Sequence, residues 1–248
     1  MNKFTALIII LILGAFGGFV AWSTINAQKN TAPDYSVYDT SKLIAGNDDE
    51  NGNGGIADHV RGKEDSKVVV IEYADFQCPG CAGMMSHVDN LYKKYGDRVA
   101  FVFRNFPLTM HANARAASAA AEAAGFQGYY WEMYETLFTN QNSWGEKTGE
   151  ARTSAFVELF AGIAKDGDVE KFRNDLSNEN IKKKIDFDYN LGKEIDKVSA
   201  TPSIYVNGEL VELTSGMTFD DVEDAAGQLI EEKLAKTSEE AIEETSEE

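Results

Sequence analysis

The sequence predicts an α/β fold: a mixed sheet with helices on both faces and one antiparallel hairpin. Two observations set the parallel part. The β-branched run Lys67-Val68-Val69-Val70-Ile71-Glu72-Tyr73 and the run Arg98-Val99-Ala100-Phe101-Val102-Phe103-Arg104 read as strands, and a helically spaced segment separates them. Two strands flanking a helix suggest a βαβ unit with a parallel pair. The third observation is Asn207-Gly208, between Ser203-Ile204-Tyr205-Val206 and Leu210-Val211-Glu212-Leu213. Both turn residues tolerate φ > 0, the signature of a tight hairpin.

From the N-terminus, residues 4–22 run without a charge. As a helix this run would reach roughly 28 Å, close to the ~30 Å hydrocarbon core. Residues 1–25 are therefore expected to be a transmembrane anchor or a signal. Cuts after Ala21-Trp22-Ser23 or Ala27 are conceivable, but the length favours an uncleaved single span. Lys3, the only charge before the run, orients the N-terminus inside. Residues 26–56 are poor in large apolar groups and end in a Gly/Asn/Asp-rich stretch, so a flexible acidic tether is expected there. The folded domain is expected over 57–236.

The two cysteines of the chain lie in Phe76-Gln77-Cys78-Pro79-Gly80-Cys81. The first strand precedes this motif, and Met84, Val88, Leu91 and Tyr95 follow it at helical spacing. The pair thus falls where a strand ends and a helix begins, where free N–H groups and the helix dipole stabilise an anion. A thiolate is the nucleophile of thiol–disulfide exchange, so the position lowers the pKa of the reacting group. Pro79 suits the first helical turn, which has no use for its missing N–H. A structural staple closing so short a loop would remove little chain entropy. A zinc site would need further ligands, and His59, His87 and His111 have no paired spacing. Two unrelated buried cysteines are the remaining alternative to a redox dithiol. The dithiol accounts best for the strand–motif–helix context.

After the second strand, closed by Pro107, the pattern turns helical over about 109–197. Helices are expected at the alanine-rich 112–124, around Tyr130, Met133, Tyr134, Leu137 and Phe138, and around Phe156, Leu159, Phe160 and Ile163. Val169, Phe172 and Leu176 suggest a fourth, and Ile181, Ile185 and Tyr189 a fifth. This is far more than a crossover needs, so a helical subdomain inserted between the second strand and the hairpin is expected. A last helix over about 218–236 buries Val222, Ala226, Leu229 and Ile230, and 237–248 is expected to be an acidic disordered tail.

The net charge of −18 makes nucleic acid an unlikely partner, because phosphate binding needs a basic surface. Much of that charge is peripheral: residues 231–248 hold eight Glu against two Lys. An exported protein whose only cysteines are a reactive pair carries no structural disulfide.

These features resemble the thioredoxin-fold proteins of the DsbA type, in their membrane-anchored extracytoplasmic form. The likeness rests on residues 71–81, on Phe106-Pro107-Leu108 with His111, on Gly128-Tyr129-Tyr130-Trp131-Glu132-Met133-Tyr134, and on Ala200-Thr201-Pro202-Ser203-Ile204-Tyr205-Val206-Asn207-Gly208. It implies a thioredoxin fold with a helical insertion and several residue roles. Cys78 is implied as the exposed nucleophile and Cys81 as the buried resolving thiol. Pro202 is implied as a cis-proline against the dithiol, with Thr201 offering backbone to an extended substrate strand; Pro79 and Gly80 belong to the same surface. Taken alone, Thr-Pro would be an ordinary turn. Glu72 interrupts an apolar strand six residues before Cys78, where relatives carry a buried acid able to relay a proton. Its bland reading is a solvent-facing residue on an edge strand.

DsbA has His at the position of Gly80, so this dithiol should be the milder oxidant. The expected activity is thiol–disulfide oxidoreduction on reduced or misoxidised exported proteins, with a possible membrane redox partner. No cofactor or metal is expected, and the chain is expected to be a monomer. A reductase or isomerase of the same fold is the alternative. A redox-inactive module holding metal through the two sulfurs and His111 is a more distant one.

Overall fold

The computed structural model describes residues 34–46, 52–212, 214 and 216–246. The run at 4–22 lies outside them, and among the described residues no helix is long and apolar enough to cross a membrane. Residues from Tyr35 onward form one compact unit.

Its sheet has five strands in the order β1-β3-β2-β4-β5: β1 Val60–Gly62, β2 Val69–Ala74, β3 Ala100–Asn105, β4 Ser203–Val206 and β5 Glu209–Leu210. β2 and β3 run parallel, joined through helix α1 (Pro79–Tyr95); the other pairings are antiparallel. All residues of β2 and β3 are buried, as central strands covered on both faces must be. The period of two sends Val69, Ile71 and Tyr73 to one face, with Val102, Phe106 and Tyr205. Val68 and Val70 go to the other, against Met84, Val88 and Leu91 of α1 and Val222, Ala226 and Ile230 of the last helix. Glu72 shares the register of Val70 and therefore also faces α1.

The insertion contains α2 (Ala114–Gly125), α3 (Tyr130–Thr139), α4 (Gln141–Trp144), α5 (Gly149–Ile163), α6 (Val169–Asp175) and α7 (Glu179–Glu194). The alanines of α2 let it approach α3 closely, and Ala117, Ala120, Ala121 and Ala124 are buried in one core with Met133, Leu137, Phe156 and Phe160. Cys81 and Phe76 belong to that same core, so the insertion roofs the dithiol loop.

Four expectations need correction. The stretch expected as a tether is packed where it is described: Tyr35 and Ile44 are buried with Phe187 and Leu191 of α7, and Ile44 exchanges hydrogen bonds with Asp58. A few well-placed apolar residues and a backbone that satisfies buried side chains outweigh the polar composition. Residues 26–33 and 47–51 lie outside the description. Residues 237–246 of the tail expected to be disordered continue helix α8 (Phe219–Ser246), which their Glu content favours. Strand β1 was not expected: it is three residues long and ends at Gly62 (φ +101°), where a Cβ would lie 2.4 Å from the Val99 carbonyl oxygen. The second hairpin strand is also shorter than expected, although Val211 still donates to the Ile204 carbonyl at 2.8 Å.

A buried ionic network ties the N-terminal segment to β3 and α7. Arg104 donates to Asp58 at 2.8 Å and to the carbonyls of Thr40 and Lys42 at 3.0 and 2.8 Å. Lys184 donates to Asp58 at 2.9 Å and to Asp188 at 2.8 Å. Asp188 and Glu122 both accept from the Asn105 amide, and Glu122 meets His59 at 2.7 Å. Burial opposes these charges, but the two cations hold the Asp58 carboxyl well below its usual range.

Candidate active site

β2 delivers the chain into a tight turn in which the Cys78 N–H donates to the Asp75 carbonyl at 3.0 Å. Cys78 then takes the N-cap of α1 in an extended conformation, with Pro79 in the first turn. Its side chain makes no capping hydrogen bond of ordinary geometry. The two cysteines are free thiols with opposite settings: Cys78 is half-buried and Cys81 fully buried.

The Cys78 thiol is brought down to about 5, first by the hydrogen bond from the Cys81 side chain and then, against some desolvation, by the N–H groups of Cys81 and Gly80. Those amides are the unsatisfied donors of the first helical turn. The Cys81 thiol is pushed up, chiefly by burial and then by holding its proton toward Cys78. One sulfur is thus poised as an anion and its neighbour as the proton donor to it. The Asp75 N–H lies 3.5 Å from the Cys81 sulfur.

The Thr201-Pro202 bond is cis, and Pro202 leads into β4 beside β2. The Cys78 sulfur lies 3.7 Å from the Thr201 carbonyl oxygen. A Cβ on Gly80 would sit 3.6 Å from that sulfur and 3.7 Å from Pro202 Cδ. Cys78, Gly80, Thr201 and Pro202 therefore meet at one surface, while Pro79 lies at its rim. Glu72 stands behind it. β2 is internal, so the edge-strand reading of Glu72 does not hold; the residue is buried and accepts from the Tyr134 hydroxyl at 3.1 Å. Burial raises its carboxyl to about 7 against the lowering by Tyr134, and its charge in turn helps raise the Cys81 thiol.

Several further residues brace this site, and Asn113 and Gln141 among them lie outside every stretch that carries the likeness. Gln141 of α4 donates from Nε2 to the carbonyls of Phe76 and Cys78. Gln77 Oε1 accepts from Asn113 N–H at 2.7 Å, and its amide donates to the Gly145 carbonyl at 2.9 Å. Asp75 uses one carboxylate oxygen for His111 Nδ1 at 2.7 Å and Leu108 N–H at 2.9 Å. His111 thus engages Asp75. Among the described residues, three ligand atoms of the kind that hold metals gather only at His87, Asp220 and Glu223, where α1 meets α8, and neither cysteine is among them.

The family model described as Thioredoxin matches residues 55–225. This chain belongs to the thioredoxin family. The thioredoxin-family chain is 29% identical over 218 residues to the probable disulfide bond formation protein D of Bacillus cereus, covering 84% of this chain and 90% of that protein. Oxidised BdbD from Bacillus subtilis superposes with a TM-score of 0.60 at 25% identity, over 78% of this chain and 99% of that one. Wolbachia pipientis α-DsbA1 shares the fold, with a TM-score of 0.57 at 19% identity over 74% and 94% of the two chains. A Na(+)/H(+) antiporter NhaA 1 of Mycolicibacterium gilvum is 33% identical over 157 residues, 61% of this chain; the chain spans only 24% of that relative's length. The thioredoxin fold with a helical insertion is of the DsbA type.

Proposed function

We propose that this protein is an extracytoplasmic thiol–disulfide oxidoreductase that introduces or exchanges disulfides in exported proteins through Cys78 and Cys81. The observation that carries this reading is the asymmetry of the two thiols: an acidified, half-exposed Cys78 at a helix N-cap over a buried Cys81 that keeps its proton. Likeness to disulfide bond formation protein D supports it.

In the oxidised protein a substrate thiolate attacks the Cys78 sulfur, and the Cys78–Cys81 bond breaks. Cys81 leaves as a thiolate, which is unstable where it is buried and takes a proton; we assign its supply to Glu72, a reading supported by the carboxyl's rise to about 7 and its electrostatic influence on Cys81. A second substrate thiolate then attacks the substrate sulfur of the mixed disulfide. The substrate disulfide forms and Cys78 leaves as a stabilised anion. Two electrons pass from the substrate to the protein, and an electron-accepting partner restores the disulfide. Thr201 and the cis Pro202 offer backbone beside Cys78, which suits an extended chain paired without strong sequence preference. The run at 4–22 would anchor the domain to the membrane with its dithiol outside.

A Cys78 thiol near 5 lies between the roughly 7 of thioredoxin and the roughly 3.5 of DsbA, which supports an oxidant milder than DsbA. Refolding of a reduced disulfide-containing protein tests the reading. The wild-type domain should accelerate it, Cys78→Ser should be inactive, and Cys81→Ala should accumulate mixed disulfides. Full activity in Cys78→Ser would overturn the mechanism. A strongly reducing potential in glutathione equilibration would turn the assignment to a reductase or isomerase.

A further inference from the structure

Behind the dithiol, between the sheet and helices α1 and α3, lies a small cavity of about 10 Å³ lined by Arg61, Glu72, Val88, Phe103 and Trp131 among others. Two buried polar atoms with no hydrogen-bond partner belong to residues of this lining: Arg61 Nε, a donor, and Glu72 Oε1, an acceptor. A buried donor and a buried acceptor left unpaired are both unfavourable, and one water needs about 10–15 Å³ and polar partners. The cavity reaches the lower size for one water, and two residues of its lining carry a complementary donor and acceptor.

Arg61 is packed between aromatic rings there. Strand β1 places it opposite Phe101, its guanidinium lies 4.0 Å from the Tyr92 ring centre and 5.0 Å from that of Trp131, and Nη1 donates to Asp89 at 3.3 Å. Glu72 is faced by Tyr134 from α3, Arg61 from β1 and Cys81 from α1, while its neighbours across β3 and β4 are Phe103 and Ile204. Asp89 of α1 engages Arg61. Arg61 is therefore the cation directed at the acid behind the dithiol.

We propose that Arg61 is a positioning residue for the dithiol reaction, joined to Glu72 through a single water in this cavity and setting how readily Glu72 exchanges a proton with Cys81. The guanidinium keeps its own proton throughout; it acts by its charge and by orienting the water. When Cys81 leaves as a thiolate, the proton moves from the Glu72 carboxyl to that sulfur, and the resulting carboxylate is stabilised by the water-bridged cation. The positive charge of Arg61 opposes the rise that burial imposes on Glu72. This inference rests on the proposed redox reading for its consequence, and not for its direct measurement.

The direct measurement is a ¹³C-carboxyl titration of Glu72 in the oxidised protein, which needs no turnover. Arg61→Met should raise the Glu72 inflection by about one pH unit, while Arg61→Lys should restore most of the shift. The pH profile of mixed-disulfide formation by the oxidised protein should move in parallel, and Arg61→Met should have no further effect on it in a Glu72→Gln background. An unchanged Glu72 inflection in folded Arg61→Met overturns the proposal. If Arg61→Met does not fold, the ¹⁵Nε signal of Arg61 in the wild type decides: it should shift through the Glu72 titration, and a flat signal overturns the proposal. Absence of thiol exchange in the wild type would defeat the redox reading while leaving the carboxyl titration informative.

Discussion

The side-chain amide of Gln141 donates to the carbonyl oxygen of Cys78 at 3.1 Å, and to that of Phe76 at 2.7 Å. These bonds join α4 of the insertion to the loop that presents the dithiol. The Phe76 carbonyl, outside the helix, would otherwise need water, whereas the Cys78 carbonyl also accepts from Ala82 N–H. Gln141→Ala should lower stability by about 1 kcal/mol, because the part-buried Phe76 carbonyl loses its donor while the Cys78 carbonyl keeps the Ala82 N–H at 3.1 Å. It should also speed alkylation of Cys81 by loosening the loop, whereas alkylation of a surface-placed control cysteine should not change. Denaturant melts and timed alkylation read both effects.

Acidification of Cys78 has a visible pH signature. Iodoacetamide labelling of the reduced protein should reach half its maximal rate near pH 5, well below an ordinary thiol. The folded value is depressed, so the thiolate stabilises the reduced fold fully above the pKa of the unfolded thiol. That contribution is lost as pH falls toward about 5. Lowering the pH should therefore destabilise the reduced protein relative to the disulfide form, which melting temperatures of the two forms would show. Labelling that follows a free-peptide thiol would contradict the site.

Glu72 has the opposite sign. Its folded value is raised to about 7, so the fold prefers the protonated acid and loses that preference as pH rises from its ordinary value through about 7. Glu72→Gln removes the penalty and should stabilise the protein at pH 8 by up to about 3 kcal/mol, since one pKa unit corresponds to about 1.4 kcal/mol. The same change should slow mixed-disulfide formation by the oxidised protein by about 100-fold if Glu72 moves the proton. Gain of stability with unaltered kinetics would leave Glu72 a purely structural acid.

Gly80 has room for a side chain. The atoms nearest to an added Cβ stand at 3.6 Å or more, at ordinary contact distance. Gly80→His should fold normally, add a donor beside Cys78 and stabilise its thiolate. The reduction potential should rise by about 30 mV, equivalent to about 1.4 kcal/mol for a two-electron couple. Glutathione equilibration measures it.

Lys184 is buried between Asp58 and Asp188, and its removal leaves both carboxylates short of a cation. Lys184→Met should cost about 3–5 kcal/mol. Urea melts at neutral pH report the loss, and partial recovery at low pH would identify the stranded carboxylates as its cause.

Local signals were readable wherever a few neighbouring residues decide the outcome. The β-branched run before Cys78 became β2, Asn207-Gly208 became the turn between β4 and β5, and Pro79 opened α1. The periodic apolar residues of the insertion marked its longer helices. Where partners are distant in the chain, the signal failed. β1 is too short to show a pattern and exists by pairing with β3 some forty residues on. Polar residues 34–46 read as a tether because nothing local reveals that Arg104 claims the carbonyls of Thr40 and Lys42. Gln77, Asn113 and Gln141 look like ordinary polar residues, and only their convergence makes them supports of the dithiol loop.

The chain alone determined the order of its elements and the chemistry available at Cys78 and Cys81, because strand and helix periodicity, turn residues and the start of a helix are properties of consecutive residues. Tertiary structure decided the environment of each group: which thiol is covered, that Glu72 is buried against Tyr134 and near Arg61, and that the N-terminal segment is part of the fold. Burial and electrostatic fields are summed over atoms from separate stretches of chain, so they come into being only when those stretches meet.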